Sequence, residues 1–73
     1  MAEKEEVIKQ IGLKIREIRE SKNLTIMNLA DKLDIEYNNV IRIEKGRTNP
    51  TLRTLIKIAE ALNVKLVDII DIE

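Results

Sequence analysis

Residues 25–46 of the chain read Thr25-Ile-Met-Asn-Leu-Ala-Asp-Lys-Leu-Asp-Ile-Glu-Tyr-Asn-Asn-Val-Ile-Arg-Ile-Glu-Lys-Gly46. Leu29 and Leu33 form an i, i+4 pair, and Val40 and Ile43 form an i, i+3 pair further along, so two short helices each carry an apolar face. Ala30 offers the smallest side chain that still favours helix, leaving room for a second helix to cross closely. Asp34-Ile35-Glu36 between them is too short for anything but a sharp corner, with Ile35 expected as its buried plug. Two helices joined by a tight turn make a helix-turn-helix, and the second of them can lie in the major groove of DNA.

Working outward, residues 1–6 are a polar, acidic lead expected to be flexible, and the domain proper is expected over 7–73. Ile8, Ile11, Ile15 and Ile18 fall at i, i+3, i+7 and i+10, one continuous helical stripe. Gly12 inside that helix costs roughly 1 kcal/mol relative to Ala. Two readings fit it: close approach by another backbone, or simple tolerance. Asn23 suits the left-handed stop of the first helix, and Thr25 is a good N-cap for the second. The third helix is expected over about 37–45, with Gly46 as its stop signal. Arg47-Thr48-Asn49-Pro50 reads as a loop, its proline suited to a first helical turn. A fourth helix follows with Leu52, Leu55, Ala59 and Leu62 as its stripe and Ile58 beside it. Asn63-Val64 breaks it, and a short fifth helix places Leu66, Ile69 and Ile70 on one face. No stretch alternates with period two for long enough to suggest a strand. The expected fold is a compact, all-α five-helix bundle.

Composition narrows the function. Seventy-three residues make one domain near the lower limit for a self-sufficient core, worth only about 3–5 kcal/mol. The chain has no Cys and no His, which removes disulfides, thiol chemistry and the usual zinc sites. No apolar run reaches the roughly 20 residues of a membrane span, and no signal peptide is evident. Thirteen basic residues balance thirteen acidic ones. Distribution matters more than the sum. Arg42, Lys45, Arg47, Arg53 and Lys57 face only Glu36 and Glu44 between positions 36 and 57, so this stretch carries +3 and the remainder −3. A modest basic face on a neutral body is compatible with DNA binding.

Several short motifs stand in order: Ile11-Gly12, Ile15-Arg16, Ile18-Arg19, Leu24-Thr25, Leu29-Ala30, Ile43-Glu44-Lys45-Gly46, Asn49-Pro50 and Ile58-Ala59 before Leu62. With them the chain resembles the phage-repressor and Cro-type helix-turn-helix family, also called XRE, over about residues 11–70. The resemblance implies a lambda-repressor-like DNA-binding domain and a sequence-specific transcriptional regulator, usually a repressor, acting as a homodimer on a near-palindromic operator. Three positions depart from the family pattern. Asp34 stands at the usual turn glycine and Glu36 at the usual Ser or Thr cap. Ile26 stands where many relatives carry a Gln that touches DNA.

Carried over residue by residue, the resemblance gives Tyr37, Asn38 and Arg42 the base-reading positions. Asn pairs bidentately with adenine and Arg with guanine. Phosphate contacts fall to Thr25, Asn39, Lys45, Arg47, Asn49, Thr51 and Arg53, around two helix N-termini whose free N–H groups suit an anion. Arg19 and Glu44 are expected as a partly buried salt bridge tying the first helix to the third. Ile41 should lie off the Val40–Ile43 face. It either touches thymine methyls or packs at the domain edge, the second being the plainer reading. A dimer interface is expected from Asn63, Val64, Lys65, Val67, Ile70 and Ile72.

An enzyme is not expected, because the chain lacks a gathered set of catalytic groups and a Gly-rich phosphate loop. No cofactor, metal or small-molecule ligand is implied. The partners expected are double-stranded DNA and a second copy, in the cytoplasm of a bacterium or its phage. The alternative is a protein-binding or antitoxin-like module that keeps the fold with weak DNA binding or none, a reading fed by zero net charge, Glu36 and Ile26.

Overall fold

The computed structural model describes residues 3–71, which form five helices: α1 (Lys4–Ser21), α2 (Ile26–Leu33), α3 (Tyr37–Glu44), α4 (Leu52–Leu62) and α5 (Leu66–Ile70). Residues 4–6, expected within a flexible lead, are helical: α1 opens at Lys4, and the Val7 N–H donates to the Glu3 carbonyl at 2.9 Å. Glu5 and Glu6 in its first turn complement the positive end of the helix, which favours the early start.

Six aliphatic side chains are almost wholly shielded from solvent, at least one from each helix: Ile15, Leu29, Val40, Ile58, Leu62 and Ile69. Each stabilises the fold by about 1.5–3 kcal/mol through burial. Ile35 packs against this core from the α2–α3 corner, as do Ile11, Ile18 and Leu33. Two apolar expectations fail. Leu52 is 61% exposed, because α4 begins there and its first turn overhangs the body; the buried stripe starts at Leu55. Ile70 does not share the buried side of Ile69 and is 39% exposed. Pro50 lies ahead of the N-cap, Thr51, rather than inside the first turn of α4.

Four helices end in one hydrogen-bond pattern. Asn23, Asp34, Gly46 and Asn63 adopt the left-handed conformation, with φ of 60°, 57°, 70° and 58°. In each case that residue's N–H donates to the carbonyl three residues back, and the next N–H donates to the carbonyl five back, at 2.9–3.2 Å. Three of the residues that follow, Leu24, Ile35 and Val64, turn inward onto the core. The fourth is Arg47, which is exposed.

The chain's two glycines lie at one junction. A Cβ on Gly12 would press on the Ile43 carbonyl oxygen and stand 2.6 Å from that of Glu44. A Cβ on Gly46 would lie 2.8 Å from the Lys9 Cα. Of the two readings of Gly12, close backbone approach is the observed one: α1 and the carboxyl end of α3 meet without side chains between them.

Candidate nucleic-acid interface

Val40 and Ile43 commit one side of α3 to the core, and that fixes what its other sides present. Tyr37 is 44% exposed, and Asn38, Asn39, Arg42 and Lys45 are exposed as well. Asn38, Arg42 and Lys45 stand at i, i+4 and i+7, so they share one face of the helix. The three residues expected to read bases are therefore free of the chain's own covering.

Behind that face lies the pair that orients it. Arg19 Nε donates to Glu44 Oε2 at 2.7 Å and Arg19 Nη2 to Glu44 Oε1 at 3.1 Å, a bidentate bond. The third arm, Nη1, donates to the Leu24 carbonyl at 2.7 Å. Both residues are only 7% exposed. The hydrogen bond to Glu44 is the main cause holding the Arg19 guanidinium above the ordinary arginine range. A raised value favours the fold below the ordinary arginine pKa and is lost only above it, so Arg19 remains charged wherever the protein is studied.

This ion pair changes the electrostatics of the surface. Glu44 is buried and answered by Arg19, which comes from outside the basic stretch. What remains exposed between positions 36 and 57 is five cations, Arg42, Lys45, Arg47, Arg53 and Lys57, against a single acid, Glu36. Lys57 lines a separate depression with Lys32, Leu33 and Glu60, so the α3 side of this zero-charge chain exposes Arg42, Lys45 and Arg47.

Residues expected to meet phosphate flank this side. Thr25 caps α2: its Oγ1 accepts from the Asn28 N–H at 3.0 Å while Asn28 Oδ1 accepts from the Thr25 N–H at 2.9 Å. Because Thr25 Oγ1 only accepts there, its own hydroxyl proton remains available. Thr51 caps α4, its Oγ1 accepting from the Thr54 N–H at 3.1 Å. Asn39, Thr48, Asn49 and Thr51 line a shallow depression of about 290 Å³ between α3 and the loop that leads to α4. Arg47 and Arg53 are exposed on either side of that loop. Glu36 stands at the N-cap of α3 with no side-chain bond to the helix.

A family model described as helix-turn-helix matches residues 15–69. The chain belongs to the XRE-type helix-turn-helix family. An uncharacterized HTH-type transcriptional regulator of Methanocaldococcus jannaschii is 41% identical over 56 residues, covering 77% of this chain and 85% of that one. The immunity repressor protein of Bacillus phage phi105 is 36% identical over 56 residues, covering 77% of this chain but 39% of the repressor. Among solved structures, the restriction-modification controller protein C.AhdI from Aeromonas hydrophila superposes with a TM-score of 0.80 at 28% identity, over 86% of this chain and 94% of that one.

Within this helix-turn-helix frame, the residues expected at a dimer interface lie far from α3 in sequence. Asn63, Lys65, Val67 and Ile70 are exposed, Val67 at 54%, while Val64 turns half inward. Ile72 falls outside the described residues. Three features were not anticipated from the sequence. Asn28 completes the Thr25 cap, and its signal was a side-chain amide three residues after a threonine. Arg16 and Ile26 open onto a groove of about 240 Å³ with Arg19, Ile41, Glu44 and Lys45. Ile26 is half-buried and packs against the core. Among the described residues there is no cluster of three metal-ligating side chains and no helix long and apolar enough to cross a membrane.

Proposed function

We propose that this chain binds double-stranded DNA in a sequence-specific manner and regulates transcription, laying α3 in the major groove. Asn38 and Arg42 read base edges, with Tyr37 beside them at the start of the helix. Thr25, Asn39, Lys45, Arg47, Asn49, Thr51 and Arg53 hold the phosphates. The observation that carries this reading is the sequestration of Glu44 by Arg19, which leaves Arg42 and Lys45, with Arg47 just beyond, exposed on a helix whose polar face is open.

A homodimer joined through α5 and the loop before it would set two copies of α3 in successive major grooves, roughly 34 Å apart. Val67 and Ile70 supply the exposed apolar surface for that contact. The immunity repressor among the relatives supports repression by promoter occupancy, and the controller protein among the structural neighbours supports a control-protein role. Glu36, an exposed acid at the leading end of α3, is the feature that favours the other reading, a protein-binding or antitoxin-like module.

Titration with mixed-sequence duplex at low salt decides between them. DNA readout gives binding that falls steeply as salt rises, from several phosphate contacts. Selection of bound sites from random duplexes then yields the operator, with a near-palindrome expected. Absence of binding in nearly salt-free buffer would overturn the proposal in favour of the protein-binding module.

A further inference from the structure

Val40 and Ile43 are taken into the core, but Ile41, the remaining aliphatic residue of α3, keeps part of its side chain in solvent. Its surroundings on the helix are those of a reading surface: Asn38 is three residues before it, Arg42 follows it and Lys45 is four residues after it, all exposed. From α2, Ile26 lines the same groove, so two isoleucines supply its aliphatic lining. The walls are polar. Arg19 and Glu44 neutralise each other there, Arg16 is bonded to Glu20 at 3.2 Å, and Lys45 stands exposed at the rim.

We propose that Ile41, backed by Ile26, is a specificity-determining residue that reads the C5-methyl group of thymine. The inference rests on the DNA-binding reading above and sharpens it. Among the features that base pairs present in the major groove, the thymine methyl is the apolar one; the others are hydrogen-bond donors and acceptors. A cytosine amino group or a guanine carbonyl pressed onto the two isoleucines would lose its water and gain no partner from them, a cost that disfavours the wrong base. Lys45, exposed beside the groove, stands where it can meet the duplex backbone, and Arg19 and Glu44 are already held to each other by two hydrogen bonds, so a polar base edge there competes with an existing pair.

The test uses the duplex recovered by site selection and copies in which each thymine in turn is replaced by deoxyuridine, removing one methyl group and leaving base pairing intact. The expected result is a loss of affinity of about four-fold at one position in each half-site, the contribution of one buried methyl. Ile41→Ala should weaken binding to the thymine duplex by a similar factor and erase the thymine–uracil difference, whereas Ile41→Val should keep it. The deoxyuridine series uses the unaltered chain, so it stands even where a variant folds poorly. Equal affinity for every deoxyuridine duplex, with sequence-specific binding intact, would overturn the methyl reading alone. So would a thymine–uracil difference that survives in a folded Ile41→Ala. No binding to the parent duplex, the first measurement in the series, would overturn this inference together with the DNA reading.

Discussion

At its carboxyl end α3 meets α1 backbone to backbone. Gly12 lies under the carbonyls of Ile43 and Glu44, Gly46 lies against Lys9, and Arg19 holds Glu44 with two hydrogen bonds. The amino end of the same helix is tied only through the preceding corner, where Ile35 packs on the core and its N–H donates to the Ala30 carbonyl. Glu36 occupies the N-cap without a side-chain bond, and Tyr37, Asn38 and Asn39 project outward, with Val40 as the first residue anchored in the core. The direction of the helix is therefore set from one end, while residue identity at the other can change with little consequence for the fold. A reading element benefits from that division, because its orientation must be fixed while its side chains are free to suit an operator.

The comparison breaks most readily at the gripped end. Arg19→Ala or Glu44→Ala should cost about 3–5 kcal/mol, because each leaves the other charge buried without a partner. A domain of this size has little more than that in total, so urea titration should find either variant largely unfolded at room temperature. Gly12→Ala inserts a methyl group where two carbonyl oxygens already stand. A loss of about 1–3 kcal/mol is expected, checked by the urea midpoint. At the open end the sign reverses. Glu36→Ser should raise stability by about 0.5–1 kcal/mol by supplying the missing cap, and it should tighten DNA binding by removing an exposed acid from the amino end of α3. The smallest effect on the fold belongs to Arg47→Ala, within about 0.5 kcal/mol by thermal melt. Its DNA binding should nonetheless weaken on all sequences, with a salt dependence shallower by about one unit.

Much of the fold was legible because its signals are local. The 3.6-residue stripes of α1, α2 and α3 and the left-handed stops at Asn23, Asp34 and Gly46 depend on neighbours within a few positions. Arg19 and Glu44, 25 residues apart, came from the resemblance and not from the pattern. The misreading of Leu52 has a plain cause: periodicity gives the side of a helix that is apolar, but not how far the helix extends past the body it packs on. Nor can spacing tell which backbone Gly12 would meet, since that partner lies 31 positions away at Ile43. At the candidate site, exposure of Tyr37, Asn38 and Arg42 followed from the phase of Val40 and Ile43. The groove shared by Ile26 and Ile41 did not, because it depends on how α2 and α3 sit against each other and against α1.

The internal pairing of Arg19 with Glu44 has a consequence at long range. A chain whose charges sum to zero has no monopole, yet with Glu44 neutralised internally and Arg42, Lys45 and Arg47 exposed at the end of α3 its field there is locally positive. Approaching a duplex, such a molecule feels little net pull until it is within about a Debye length, some 10 Å at 0.1 M salt. It feels a torque in the same field, which turns the α3 side toward the phosphates. On the proposed DNA-binding reading, encounter is governed by alignment more than by attraction, and α3 meets the groove already facing it.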